Sequence, residues 1–276
     1  MKTPTVVEIA RQEFVINVRN RWTLIFAGVF SALVLAIAYV GIMVEGFSGM
    51  QSFTRTSASI LNLVLYIVPL VALTMGTLSF TGDTGSTELL FSQPVSRAEV
   101  LPGKLLGVFL SMTLSMLSGF VLAGVVMIIG SGTEGIFRYL PFVGFSIVLS
   151  LVFLGLSLVT ATVSKRKARA FGLSLFLWFF FVLFYDLLAI GGTLLLNGQS
   201  ANTFLFVSLF GNPVDMVRVA SLITLDNVTL FGASGAAMLR FLGGPVASVL
   251  FLVAGLLLWV CCPLLLSHRL IRKQDI

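Results

Sequence analysis

A single carboxylate stands deep inside an otherwise apolar run. Asp186 follows Phe179-Phe-Phe-Val-Leu-Phe-Tyr185, about fifteen residues into a stretch that opens at Phe171. As a helix rising 1.5 Å per residue, that places it roughly 22 Å from the start of the stretch. An ionisable group at such a depth in a membrane helix costs ~2.5–3.5 kcal/mol to insert, which makes it a functional candidate by default. The competing reading is a structural carboxyl, protonated or hydrogen-bonded to a serine or a backbone group of a neighbouring helix. A proton relay is disfavoured, because no second carboxylate or histidine accompanies Asp186 in the apolar runs.

Two polar segments carry the other chemistry-bearing residues. The first reads Thr81-Gly-Asp-Thr-Gly-Ser-Thr-Glu-Leu-Leu-Phe-Ser-Gln-Pro94. Gly82 and Gly85 supply turn conformations. Ser86–Phe91 is long enough for about one and a half helical turns, which Pro94 stops. Ser96-Arg-Ala-Glu99 fits a capping box, and Pro102 falls too early to continue that helix cleanly, which predicts a kink. The second segment, Asn212-Pro-Val-Asp-Met-Val-Arg218, places Asp215 and Arg218 in an outer loop.

Other chemistries are poorly supported. No G-x-x-x-x-G-K-[ST] run occurs, so this chain alone should not hydrolyse ATP. No H-E-x-x-H, G-x-S-x-G or C-x-x-C occurs either, and no catalytic residue and no metal site are assigned. Met43, Met50, Met127, Met216 and Met238 fall on or near one side, and thioethers bind Cu(I). None is spaced M-x-x-M, and packing is the stronger reading for them and for Met112 and Met116. Cys261 and Cys262 are adjacent, which argues against a disulfide, and His268 reads as an interfacial residue.

The elements that must position these residues are six apolar stretches: 22–44, 58–80, 103–130, 141–163, 171–196 and 244–267. Each reaches the ~20 residues that cross a hydrocarbon layer as a helix. Apolar residues are 58% of the chain and charged residues 10%, against about 25% in a soluble domain. Alternating patterns are absent, so the expected fold is an all-α integral membrane bundle and not a barrel. Residues 1–276 form one membrane domain with no internal repeat.

The basic residues sort by side. Lys2, Arg11, Arg19, Arg21, Arg97, Lys104, Lys165, Arg166, Lys167, Arg169, Arg269, Arg272 and Lys273 fall in alternate polar segments, and only Arg55, Arg138, Arg218 and Arg240 fall in the others. Positive charge marks the cytoplasmic side, so both termini are expected there. The net charge of +6 is topological and implies no nucleic-acid partner. Lys165–Arg169 is a basic turn with some contact to anionic lipid. Glu8 and Glu13 rule against a cleavable signal.

Residues 1–21 read as an amphipathic interfacial helix, with Val7, Ala10, Phe14, Val18 and Trp22 on one face and Glu8, Arg11, Gln12 and Arg19 elsewhere. Residues 81–102 form a short cytoplasmic loop. Gly103, Gly107, Ser111, Ser115 and Gly119 recur every fourth position in the third stretch, which predicts a seam of close helix packing. Residues 197–243 form the longest outer segment, where 204–210 and 214–225 predict surface-lying helices and the best surface for an external partner.

The run Gly85-Ser-Thr-Glu-Leu-Leu-Phe-Ser-Gln-Pro-Val-Ser-Arg-Ala-Glu-Val-Leu-Pro-Gly-Lys104 resembles the cytoplasmic signature of type 2 ABC exporter permeases. Glu88 stands where that family has an acidic residue before a short helix, and Gly103-Lys104 opens the next span; Pro102 departs from the pattern. The resemblance extends to the Arg11–Trp22 segment and the six-span layout. Within the family the chain is most similar to the NosY type, which serves maturation of nitrous oxide reductase, on Tyr185-Asp186-Leu187 and Asn212–Arg218.

The resemblance implies a homodimer in the inner membrane of a bacterium or archaeon, bound to two copies of a separate ATPase that holds ATP and Mg. It also implies a periplasmic partner of the NosD type and a role in assembling a copper–sulfur centre, by moving a sulfur species or handling copper. Asp83, Ser86, Glu88, Leu89, Pro94 and Arg97 would then couple to the ATPase. Glu88 would contact it or reach Arg11 or Arg19 of the interfacial helix, to which Phe14 also belongs. Asn212, Pro213, Asp215 and Arg218 would dock the outer partner. Two alternatives stay open: a general exporter of lipid, drug or glycan, and a membrane scaffold that conducts nothing.

Overall fold

The computed structural model describes residues 3–45, 49–81, 97–164, 166–196, 198–225 and 243–272. The helices are α1 (Thr3–Val18), α2 (Arg21–Glu45), α3 (Gly49–Phe80), α4 (Arg97–Ser131), α5 (Ile136–Val163) and α6 (Lys167–Phe179). A π-helical turn, Phe180–Phe184, joins α6 to α7 (Tyr185–Leu194); α8 (Gln199–Phe210), α9 (Pro213–Thr224) and α10 (Pro245–Arg272) follow. Among the described residues, six helical segments are long and apolar enough to cross a membrane: Arg21–Met43, Phe53–Phe80, Val100–Ser131, Ile136–Val163, Lys167–Leu194 and Pro245–Leu270. These are the six expected stretches. Several begin earlier than the apolar runs, because a helix end that leaves the hydrocarbon carries polar residues such as Arg55, Arg138 and Lys167 without cost. Helix α4 is continuous through Pro102.

The up-and-down order puts Arg21, Lys104, Arg166, Lys167, Arg169 and Arg269 at one end of the bundle, here called the basic end. Toward the other, far end, an aromatic cluster locks four spans together. Phe30 of α2, Phe53 of α3, Phe120 of α4 and Tyr139 and Phe142 of α5 meet with ring centroids 5.4–6.2 Å apart, mostly edge to face. Such edge-to-face pairs add roughly 0.5–1.5 kcal/mol each beyond simple burial. The Tyr139 hydroxyl donates to the Phe120 carbonyl at 3.1 Å, so its one polar atom is satisfied.

The small-residue seam of α4 is real, and its partners are α1 and α2. A Cβ on Gly103 would meet Ile9; one on Gly107 would meet Glu13 Cβ and the backbone of Ala10 and Phe14; one on Gly119 would meet Phe30 and Ser31. Ser111 and Ser115 turn their hydroxyls back to the carbonyls of Val108 and Ser111, at 2.8 and 3.0 Å, and so add no bulk to the seam.

The seam also corrects the expected face of α1. Its buried side is Val6, Ile9, Ala10 and Asn17, while Val7 and Trp22 are exposed. The two glycines of α4 admit Ile9 and the Ala10–Phe14 backbone, and this close approach sets the rotation of α1 in place of its apolar periodicity. Asn20 ends the element: its side-chain oxygen accepts from the Trp22 amide at 3.0 Å and opens α2.

Nearer the basic end, three hydroxyls join α3, α5 and α6. Thr77 Oγ1 lies 2.6 Å from Ser174 Oγ, Thr160 Oγ1 lies 3.0 Å from Ser174 Oγ, and Thr77 and Thr160 are 3.5 Å apart. All three are buried. Interhelical hydrogen bonds in membranes contribute about 0.6 kcal/mol on average and at most about 1.7. Thr77→Val should therefore lower the unfolding free energy of the detergent-solubilised protein by about 1 kcal/mol, and by no more in combination with Ser174→Ala than the shared bonds allow. Additive losses from the two variants in thermal unfolding would show that the three hydroxyls do not act as one group.

Candidate functional site

Helix α9 is not a surface helix, and α8, of which Leu209 alone is buried, leans on the fifth span. Helix α8 descends from the far end along the fifth span: Gly192 packs against Phe204, the Tyr185 hydroxyl donates to the Ser208 carbonyl at 2.7 Å, and Asn212 Nδ2 donates to the Phe181 carbonyl at 2.9 Å. Trp259 Nε1 donates to the Phe210 carbonyl at 2.9 Å from the other side. Phe181 and Trp259 both lie near the midpoints of their spans, Lys167–Leu194 and Pro245–Leu270. The corner between α8 and α9 thus sits halfway through the bundle, where the chain bends by 102°.

Irregular backbone at that depth is tolerated only inside protein with its polar groups satisfied. Both conditions hold. Asn212 is buried and caps α9, its side-chain oxygen accepting from the Val214 amide at 3.0 Å, and Pro213 takes the first helical position. Pro213, Val214, Met216, Val217, Val219 and Ala220 are buried. The expectation of a surface-lying 214–225 is corrected. Of the charges that argued for a surface position, Asp215 and Arg218 neutralise each other within the bundle.

That neutralisation is the centre of the site. Arg218 Nη1 lies 2.8 Å from Asp215 Oδ1, one turn back on α9, and 3.1 Å from Asp186 Oδ2 on the fifth span. Asn212 Nδ2 bonds Asp215 Oδ2 at 3.0 Å as well as the Phe181 carbonyl. Asp215 is 14% exposed, Arg218 29% and Asp186 32%, so the group opens at one side of the chain. Phe181 belongs to the π-helical turn. A π turn slackens the regular hydrogen-bond ladder and often marks a functional site; here its carbonyl faces the Asn212 amide.

Asp186 is accordingly not solitary. Its partner is neither a serine nor a backbone group but Arg218, from the segment read as a separate outer motif. Asn212, Pro213, Asp215 and Arg218 are brought together with Asp186, but Asn212 and Pro213 are buried and offer no surface to an external protein. Their side chains turn the chain at mid-depth. Met127 and Met216 are fully buried packing residues, as are Met112 and Met116. Met50, Met238 and Arg240 lie outside the described side chains.

A second constellation marks the basic end. Lys104 Nζ lies 3.3 Å from Glu13 Oε1 of α1 and donates to the Ser79 carbonyl, in the last turn of α3, at 3.2 Å. A cation at a helix C-terminus satisfies a spare carbonyl and the helix dipole together. Glu13 also accepts from Asn17 Nδ2 at 3.3 Å. One lysine therefore ties α1 to the end of α3 and the start of α4, the two helices that the segment 82–96 connects in sequence. Asp83, Ser86, Glu88, Leu89 and Pro94, the Ser86–Phe91 helix and the capping serine lie outside the described residues, as does the Arg97 side chain. Of the α1 residues, Phe14 contributes backbone to the Gly107 contact, and Arg11 and Arg19 are exposed.

Six spans, a seam that seats an N-terminal helix and a re-entrant pair of half-helices together define an all-α multi-pass membrane protein. The family model described as ABC-2 family transporter protein matches residues 7–276, and the chain belongs to that family of transporter permeases. Two relatives are named "Probable ABC transporter permease protein NosY". The one from Pseudomonas aeruginosa (strain PAO1) is 34% identical over 99% of this chain and 100% of its own length. The one from Stutzerimonas stutzeri is 34% identical over 98% of each.

Proposed function

We propose that the chain is the membrane half of an ATP-driven machine, acting as a homodimer with two copies of a separate ATP-hydrolysing subunit. It stands in an inner membrane with the basic end and both termini in the cytoplasm, and it takes part in assembling the copper–sulfur centre of nitrous oxide reductase with a NosD-like periplasmic partner. The name shared by the two relatives supports the last step. The observation that carries the coupling step is the Lys104 tie. The segment 82–96 is flanked by α3 and α4, and Lys104 joins both of these to α1 through Ser79 and Glu13. A force applied to that segment by a partner reaches three helices at once.

The experiment replaces Glu88 in the reconstituted complex. Glu88→Ala should leave insertion and assembly of the permease intact while the coupled ATPase stimulation falls about tenfold, within the range of ordinary coupling energies. Unchanged coupling in Glu88→Ala would count against the segment as the ATPase contact.

A further inference from the structure

We infer that the contact between α9 and the fifth span is a releasable latch, in which Asp215 is the fall-back partner of both groups that reach across. Two side chains of the corner and α9 cross to the fifth span. Arg218 reaches Asp186, and Asn212 reaches the Phe181 carbonyl. Each of them also bonds Asp215 on its own helix, Arg218 at 2.8 Å and Asn212 at 3.0 Å.

A cation inside a membrane bundle is normally hard to move, because breaking its pair strands a charge in a poor solvent. Arg218 escapes that penalty: when it lets go of Asp186 it keeps Asp215. Asn212 likewise keeps Asp215 when it leaves Phe181. On the other side of the joint, Phe181 lies in a π turn, whose ladder has room to re-form. Asp186 is the most exposed of the three charged groups, at the side where the group opens. The latch has two arrangements, one with the bonds to Asp186 and Phe181 made beside those to Asp215 and one with the bonds to Asp215 alone, which gives it the two states a switching element requires.

The latch deepens the coupling reading, since it gives the re-entrant pair a way to respond to events at the basic end, and its test separates the two. Spin labels at Thr224→Cys on α9 and Leu188→Cys on α7, in a Cys261→Ser, Cys262→Ser background, report the distance across the joint in the reconstituted permease–ATPase complex. Asp186→Asn should raise the population of the longer distance about tenfold. Asp215→Asn, which removes the fall-back, should move it the opposite way and hold the short distance. A merely structural cluster would loosen in both variants, so shifts in the same direction overturn the latch. If Asp215→Asn fails to insert, a distribution in Asp186→Asn equal to that of the unsubstituted chain overturns it. ATP with vanadate should move the unsubstituted complex toward the Asp186→Asn distribution. Opposite shifts in the variants with no response to nucleotide would keep the latch and remove its link to ATP coupling.

Discussion

Arg218→Ala should be strongly destabilising, costing about 3 kcal/mol, the low end of the range found when one partner of a buried pair is removed, because the group is partly exposed. The reason lies in the depth of the group and in its composition. Asp186 and Asp215 both converge on Arg218 Nη1, at 3.1 and 2.8 Å, beside a corner that touches the midpoints of two spans. Without the guanidinium two carboxylates face each other. Asp186→Asn should cost much less, because Arg218 keeps Asp215. The losses should also be strongly non-additive. Arg218→Ala combined with Asp186→Asn and Asp215→Asn removes every charge and should recover stability relative to Arg218→Ala alone. Unfolding of the purified permease in mixed micelles measures all of these, and equal losses for Arg218→Ala and Asp186→Asn would contradict the shared-cation geometry.

The spans were legible in the sequence because lipid leaves so few choices: a run of apolar residues long enough to cross must be helical. The α4 seam was legible for a related reason, since glycine and serine at every fourth position have few uses other than close approach. The rotation of α1 was not, because its own periodicity points to one face while the two glycines of α4 select another. Nor was the re-entrant pair. Asp215 and Arg218 look prohibitive for a buried helix when each charge is counted alone. Their cost disappears once Arg218 is paired with Asp186, thirty-two positions earlier in the chain, and no local pattern encodes that pairing. Two signals did point that way: Asn212-Pro213 is a helix start set between two short apolar segments, and interrupted apolar segments are the mark of half-helices that meet at mid-membrane. An acid in one span and a base in a doubtful loop are better read as a candidate pair than as two separate sites. Lys104 was visible as the opening of a span, yet its tie to Glu13 and Ser79 is a tertiary fact.

Gly107→Leu should detach α1 from the bundle while leaving the six spans in place. The Cβ of any residue at 107 would lie 2.8 Å from the Ala10 carbonyl and 2.9 Å from the Phe14 amide, both of them backbone atoms, as well as against the Glu13 side chain. Backbone cannot swing aside as a flexible side chain would, so the whole of α1 must move. Overpacking of this kind costs roughly 1–3 kcal/mol, and more where backbone shifts. The displacement also pulls Glu13 out of reach of Lys104, now 3.3 Å away, and frees one of the three helices that Lys104 ties together. The expected result is faster proteolysis within residues 3–18, an unfolding midpoint for the spans close to that of the unsubstituted chain, and loss of coupled ATPase stimulation. Gly107→Ala should show the same direction more weakly, because its single methyl group meets the same atoms. Lys104→Met, which keeps the stem and removes the charge, should impair coupling without releasing α1, since the glycine seam still holds that helix. If Lys104→Met exposes α1 to protease as fully as Gly107→Leu does, then the ion pair and not the seam fixes the helix.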